Sequence, residues 1–173
     1  MYSTIYKKAS NEFKSKKVND MRFSILVLLG LESGARVSDL LSLTWPNIDF
    51  NQNEVSYQNK KSKKNQSQCL SENLIAKIKL FKEVCELNGC LNDYIFFNEN
   101  KGTVMSRNTA TRRANKEFGV SFHELRRVAA KRVANSKGVV MASKYLGHSK
   151  VSTTDIYLKV SDSEYKNQMR DLF

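Results

Sequence analysis

The spacing of apolar residues along the chain predicts a mostly helical protein. Phe23, Leu26 and Leu29 recur at helical intervals within an apolar segment that begins near residue 20, and Gly34 is suited to end this helix. A second helix is predicted for residues 36–43, because the chain's single proline follows shortly after it.

The next part of the chain changes to a strand pattern. Residues 54–59 alternate Val55 and Tyr57 with polar side chains, and residues 66–70 can pair with them. The basic stretch 60–65 lies between the two segments. A β-hairpin with a lysine-rich turn is therefore expected.

Helical spacing returns after the hairpin. Ser71 is a capping residue for a helix whose apolar stripe contains Leu74, Ile78, Phe81 and Cys85. A short strand is expected at 94–97. Further helices are expected over residues 106–118, 121–137, 139–146, 153–160 and 162–172. The predicted fold class is mainly α with a small antiparallel β-sheet, an α+β protein.

A chain of 173 residues has the length of one ordinary domain. Residues 1–17 are polar and basic, and we interpret them as a lead-in segment with no core pattern. The domain itself is expected over residues 18–160, followed by a C-terminal segment over 161–173.

Positive charge is concentrated in the second half of the chain. The formal net charge is +12, with 29 Lys and Arg against 17 Asp and Glu. Between Lys101 and Lys137 there are ten basic residues, opposed only by Glu117 and Glu124. Such a cluster favours a polyanionic partner such as nucleic acid, although a basic surface that only aids solubility is the alternative.

Other classes of protein find little support. Cys69, Cys85 and Cys90 form no CxxC motif and are odd in number, so neither a disulfide framework nor a zinc site is indicated. The longest apolar run, residues 23–31, is too short to span a bilayer, and residues 1–17 lack the apolar segment of a secretory signal. We expect a cytoplasmic protein with no membrane partner, no metal and no cofactor.

Three short motifs carry residues that could do chemistry. In HELRR, His123 and Arg126 lie one helical turn apart. In GARVSDLLSL, Arg36 begins a predicted helix, where the macrodipole disfavours a cation, and Asp39 could hold its guanidinium. Each feature taken alone also fits a structural histidine or an ordinary ion pair.

The third motif is LGHSKVSTTDIY, residues 146–157. Together with GARVSDLLSL at 34–43 and HELRR at 123–127, it resembles the catalytic domain of the tyrosine recombinases, the phage integrase family. The resemblance extends from about Asp20 to Tyr157. It is specific, because both histidines, the arginine and the tyrosine of the pattern are present in the same order.

The resemblance implies a catalytic set and a mechanism. The matching residues are Arg36, Lys61, His123, Arg126, His148 and Tyr157. For the hairpin lysine, Lys60 and Lys63 are alternatives to Lys61. In this family the tyrosine attacks a DNA phosphodiester and forms a 3′-phosphotyrosyl bond, without metal or ATP.

The resemblance also implies partners and an architecture. We expect double-stranded DNA as the substrate and a tetramer on DNA, in which residues 161–173 could contact a neighbouring protomer. Members of the family usually carry an N-terminal core-binding domain, and only about twenty residues precede the first predicted helix here. The chain is therefore either a fragment or one of the short members.

Two alternative functions share parts of this pattern. A type IB topoisomerase uses the same tyrosine chemistry, but LGHS and TTxxY resemble the recombinase branch. A DNA-binding regulator that keeps the fold without the chemistry is expected to lose Tyr157, Arg36 or Arg126, and all three are present. A metal-dependent nuclease would need a carboxylate cluster, which the sequence does not display.

Overall fold

The computed structural model of the chain describes residues 1–15, 17–60, 63–98 and 101–147. The chain divides into two compact units, Met1–Ala129 and Ala130–Phe173. The first unit contains the main hydrophobic core, both small β-sheets, and Arg36, His123 and Arg126 of the predicted site. Of the second, the structure describes residues 130–147. The expected domain boundaries at residues 18, 160 and 161 stay predictions.

The N-terminal segment differs from the expectation of a lead-in without a core pattern. Residues Tyr2–Phe13 form helix α1, and this helix packs against the helix that follows it. Its buried side chains Ile5, Ala9 and Phe13 recur every four residues, so that they form one stripe on the helix. The polar and basic residues between them concealed this stripe in the sequence.

Helix α2, Val18–Ser33, is the centre of the first unit. It packs against α1 and against the later helix α4, Glu72–Leu87, and most of its side chains are buried. A helix that is apolar around most of its circumference is stable only inside a core. It ends where the sequence predicted, at Gly34, whose φ of 59° lies in the left-handed region that glycine adopts at little cost.

The predicted second helix is shorter than expected. Helix α3 covers only Val37–Leu40, and a 3₁₀ turn follows at Trp45–Asn47. Strand β1, Ile48–Asp49, then pairs with the first strand of the predicted hairpin. The sequence pattern did not indicate this additional strand.

The hairpin itself is confirmed. Strands β2, Glu54–Gln58, and β3, Asn65–Cys69, pair antiparallel, with Ser56 opposite Ser67. Val55 and Tyr57 face the core, as their alternation predicted. The three-stranded sheet has the order β1–β2–β3.

Among the remaining described elements, the helices agree with the expected ones, whereas the strand expected at 94–97 is observed at Phe97–Asn98 and pairs with a strand that was not predicted. These elements are α4 at Glu72–Leu87, β4 at Phe97–Asn98, β5 at Thr103–Val104, α5 at Arg107–Phe118, α6 at Phe122–Lys137 and α7 at Val139–Tyr145. Ser71 caps α4 as predicted, its Oγ accepting a hydrogen bond from Leu74 N at 3.2 Å. The helices expected at 153–160 and 162–172 lie outside the described residues. The fold is mainly helical with small antiparallel sheets, which confirms the predicted class. No helix in the described ranges has the length and apolar character needed to cross a membrane.

Candidate active site

The candidate site is built around the loop between α2 and α3. Gly34 turns the chain out of α2, and Arg36 is the N-cap residue of α3. The Arg36 side chain is half-buried, and its Nη1 is buried without a hydrogen-bond partner in the part of the chain that the structure describes. A buried guanidinium donor without an acceptor is energetically costly unless a ligand satisfies it. Arg36 Nη1 is therefore a donor that the described residues leave unsatisfied.

Arg126 of α6 reaches the same loop. Its side chain is only 3% exposed, and Nη1 donates a hydrogen bond to the carbonyl oxygen of Gly34. The two residues are 92 positions apart in the sequence. This contact brings Arg126 to the loop that carries Arg36, because Arg36 follows Gly34 by two residues.

Close helix packing holds α6 in place. A β-carbon at Gly30 of α2 would lie 3.5 Å from a ring carbon of Phe122 and 3.6 Å from a methyl carbon of Leu125. These are ordinary van der Waals distances, so the N-terminal turn of α6 packs directly on α2 at Gly30, with room for a β-carbon. Because Arg126 follows Leu125 directly, this packing fixes where its guanidinium can reach.

Asp39 connects the loop to the β-hairpin. It is 1% exposed, and its Oδ1 accepts a hydrogen bond from the backbone N–H of Lys60 at 3.1 Å. The sequence suggested instead that Asp39 holds the Arg36 guanidinium. The structure gives Asp39 a different partner, and its Oδ2 is buried without a hydrogen bond to any described residue. Asp39 thus anchors the base of the lysine-rich turn.

Tyr57 is a site residue that the sequence reasoning missed. It was identified only as a core position of β2, yet its ring lies close enough to Arg126, Asp39 and Arg36 for their charges to act on it. Burial raises its pKa to about 12, the effect of Asp39 adding to that of burial and the two arginines opposing it. Its hydroxyl therefore stays protonated at neutral pH. The signal in the sequence was its position, three residues before the lysine-rich turn.

His123 is placed on the first turn of α6, where it is exposed. Ser121 and Glu124 form a capping box around it: Ser121 Oγ accepts from Glu124 N at 3.2 Å, and Ser121 N donates to Glu124 Oε2 at 2.6 Å. The bond from the Ser121 backbone N–H stabilises the Glu124 carboxylate and lowers the pKa of Glu124. The cap fixes the start of the helix and with it the direction in which His123 and Arg126 project.

Two neighbouring arginines of the basic stretch 101–137 have different surroundings. Arg113 is committed to the fold, since Nη2 pairs with Asp20 Oδ1 at 2.7 Å and Nε with Glu117 Oε1 at 2.7 Å. Its guanidinium also covers the ring of Phe23 at 4.3 Å. Arg112, its neighbour, is exposed. Arg112 is therefore the appropriate control for charge on this surface.

Three predicted catalytic residues lie outside the described residues: Lys61, His148 and Tyr157. The structure brings together Arg36 and Arg126 around one loop and attaches the hairpin beside them. Within the described ranges, no group of three or more His, Cys, Asp and Glu side chains could hold a metal ion.

Several solved structures share this fold. XerA recombinase matches with a TM-score of 0.77 and 23% identity, covering 97% of this chain and 62% of that one. XerH recombinase, in a post-cleavage complex with its difH substrate, matches with a TM-score of 0.79 and 18% identity over 97% of this chain and 50% of that one. The Tn1549 transposon integrase, in complex with a circular intermediate DNA, matches with a TM-score of 0.65 and 16% identity. The match covers 96% of this chain and 63% of that one. At these identities the similarity is one of fold.

A search of curated protein sequences found no match. The chain spans about half to two thirds of the length of the structures named above. The profile of the phage integrase family, however, matches residues 2–164, which is most of the chain. The protein therefore belongs to the phage integrase family, the tyrosine recombinases.

Proposed function

We propose that the protein is a site-specific DNA recombinase that cleaves and rejoins strands through a 3′-phosphotyrosyl intermediate, without metal or ATP. The hydrogen bond from Arg126 Nη1 to Gly34 O is the observation that carries this proposal. It joins the two arginines of the family pattern at one loop, although they come from distant parts of the sequence. A pair of fixed guanidinium groups is suited to bind the two non-bridging oxygens of a phosphodiester.

Arg36 and Arg126 act on the phosphate as negative charge develops in the transition state. Because both side chains are at least partly removed from water, their charge is screened less than at an exposed site. In this proposal, Arg36 Nη1, which is buried and has no protein acceptor among the described residues, donates to a phosphate oxygen of the bound DNA. His123 and His148 donate further hydrogen bonds to the phosphate.

Tyr157 is the nucleophile in this proposal. Its hydroxyl oxygen attacks phosphorus, its proton passes to His123 or His148, and the bond from phosphorus to the 5′ oxygen breaks. Lys61 supplies the proton that the leaving 5′ oxygen requires. Because the phosphotyrosyl bond conserves the phosphodiester's free energy, attack by a 5′ hydroxyl of a partner strand rejoins the DNA without ATP.

Covalent capture tests the proposal. The protein is incubated, in EDTA and without ATP, with nicked suicide half-sites whose flanking positions are randomised, and covalent complexes are isolated under denaturing conditions. We expect a covalent adduct with the wild-type protein and none with Tyr157→Phe, which keeps the aromatic ring and lacks the nucleophile. An adduct that persists in Tyr157→Phe, or cleavage that leaves no adduct, contradicts the proposal.

A sulfur-substituted substrate identifies the proton donor. A bridging 5′-phosphorothiolate leaves without protonation, so it should restore cleavage by Lys61→Ala but not by Arg126→Ala. If this substrate restores cleavage by Lys60→Ala or Lys63→Ala but not by Lys61→Ala, the lysine replaced in the restored variant is the proton donor. If none of the three lysine variants is restored, the hairpin takes no part in proton transfer.

We further propose that the protein binds double-stranded DNA and assembles as a tetramer on it. Tyr165, Met169 and Leu172 recur at helical spacing in the segment 161–173, a stripe too short to be stable without a surface to pack on. Deleting this segment should spare cleavage of a suicide half-site and reduce strand exchange between two full sites. A truncated protein that recombines as well as the full chain would exclude this role.

A further inference from the structure

A cleft of about 400 Å³ opens beside the candidate site, in the first unit of the chain. Lys60 of the hairpin and Arg107 of α5 line it, together with Ser38 and Ser42 of the α3 region. Ser38 precedes Asp39 directly, and Asp39 holds the backbone of Lys60. The cleft is thus adjacent to the loop that carries Arg36.

The cleft has the charge of an anion-binding site. Lys60 and Arg107 are both exposed, and no carboxylate is among the described residues that line the cleft. Arg107 is the first residue of α5, whose N-cap Ser106 accepts a hydrogen bond from Thr109 N at 3.1 Å. The first turn of a helix adds a partial positive charge to that of the guanidinium.

The rest of the lining is apolar. Leu41 and Met105 are 5% and 9% exposed and line the cleft along with Val104. Tyr94 also lines the cleft and is 42% exposed. Its backbone is fixed on both sides, by a β-bridge to Thr44 and by a hydrogen bond from Tyr94 N to an Asn92 side-chain oxygen at 3.1 Å. An exposed aromatic ring on a fixed backbone suits contact with a sugar or a base.

Two cations beside an apolar surface and an aromatic ring match the chemistry of a nucleotide's sugar and phosphate better than that of a bare anion. We propose that this cleft binds one sugar–phosphate unit of the DNA strand, next to the phosphate held by Arg36 and Arg126. Arg107 and Lys60 bind its phosphate, and Tyr94 packs on its sugar. The inference rests on the proposed function and adds the position of the neighbouring nucleotide to it.

Equilibrium binding tests this assignment. All proteins carry Tyr157→Phe, so that no covalent adduct forms, and a fluorescent 20-base-pair duplex is titrated between 50 and 200 mM NaCl. Arg107→Gln should weaken binding about tenfold at low salt and lower the slope of log affinity against log salt by about one. Arg112→Gln, on the same helix but outside the cleft lining, is the matched control and should change affinity by less than about twofold.

Two further measurements identify the ligand. Tyr94→Leu should weaken binding several-fold with an unchanged salt slope, because it removes a contact with the sugar rather than with the charge. On a duplex with a neutral methylphosphonate strand, Arg107→Gln should lose most of its effect on affinity, while Tyr94→Leu keeps its own. Thermal melts of each variant within a few degrees of the parent establish that the fold is intact.

Equal effects of Arg107→Gln and Arg112→Gln would overturn the proposal. So would a Tyr94→Leu protein that binds as tightly as its parent, since the cleft would then take only an anion such as free phosphate. These outcomes are separate from failure of the recombinase proposal. Covalent capture tests whether Tyr157 is a nucleophile. If Arg107→Gln weakens DNA binding as expected but the wild-type protein forms no adduct, the cleft binds the DNA backbone and the protein does not recombine DNA.

Discussion

Replacing Tyr57 by Phe should remove a specific pH dependence of stability. The folded protein holds the pKa of Tyr57 near 12, against 10 for a free tyrosine, so the unfolded chain loses this proton first as pH rises. The stabilisation that follows from this pKa difference is fully present well below pH 10 and is lost as pH rises towards 12. With a folded pKa of about 12 and an unfolded pKa of 10, the loss of stability reaches about 1 kcal/mol at pH 11 and approaches about 3 kcal/mol above pH 12.

Urea unfolding at pH 8, 9, 10, 10.5 and 11 measures this effect. The free energy of unfolding of Tyr57→Phe is subtracted from that of the wild type at each pH, which cancels the titration of the other tyrosines and of the lysines. The difference should be constant up to about pH 9 and fall steadily above it. A difference that stays constant to pH 11 would show that Tyr57 is not buried beside Asp39 as described. A difference that rises would mean that Arg126 and Arg36 dominate and hold its pKa below 10.

Three other substitutions test the packing around the site, each by urea unfolding unless stated. Gly30→Ala should be neutral or stabilise the protein by up to about 1 kcal/mol, because the new β-carbon makes ordinary contacts at 3.5 Å and alanine favours helix. A loss of stability above about 1 kcal/mol would mean that α2 and α6 lie closer than described. Ser71→Ala should lower the free energy of unfolding by about 1–2 kcal/mol, since it removes the hydrogen bond from Leu74 N and the one at 2.7 Å to a Glu32 carboxylate oxygen. A loss below about 0.3 kcal/mol would contradict the capping role of Ser71. Asp39→Ala should release the hairpin at Lys60, seen as faster proteolysis at the lysine-rich turn and at least tenfold slower cleavage of suicide DNA; unchanged proteolysis would argue against the anchor.

The elements that the sequence predicted well are those set by neighbouring residues. Gly34 ends α2 because glycine takes the left-handed conformation, and Ser71 starts α4 because its hydroxyl satisfies a free backbone N–H. The alternation around Val55 and Tyr57 placed the hairpin for the same local reason. The motifs also indicated Arg36 and Arg126, and the fold brings these two residues to one loop, while their catalytic roles stay predictions.

What the sequence did not reveal depends on contacts between distant residues. The partner of Asp39 lies 21 positions away, at the backbone of Lys60, where no side-chain pattern records it. Tyr57 looked like any core residue of a strand until the fold placed two arginines and a buried aspartate around it. Arg113 belonged to a basic run that suggested binding, and only the fold showed it paired with Asp20 and Glu117.

A double-mutant cycle on Arg36 and Arg126 tests the central claim, that both arginines act on one phosphate. Single-turnover cleavage of suicide half-sites is measured for each alanine variant, for the double variant and for Arg112→Ala, with intact folding checked by thermal melts. Each single change should slow cleavage by about 10²- to 10³-fold or more, Arg112→Ala by less than about threefold, and the double variant should be far less impaired than the product of the single effects. Effects that multiply, or an Arg112→Ala protein as slow as Arg126→Ala, would contradict a shared phosphate site.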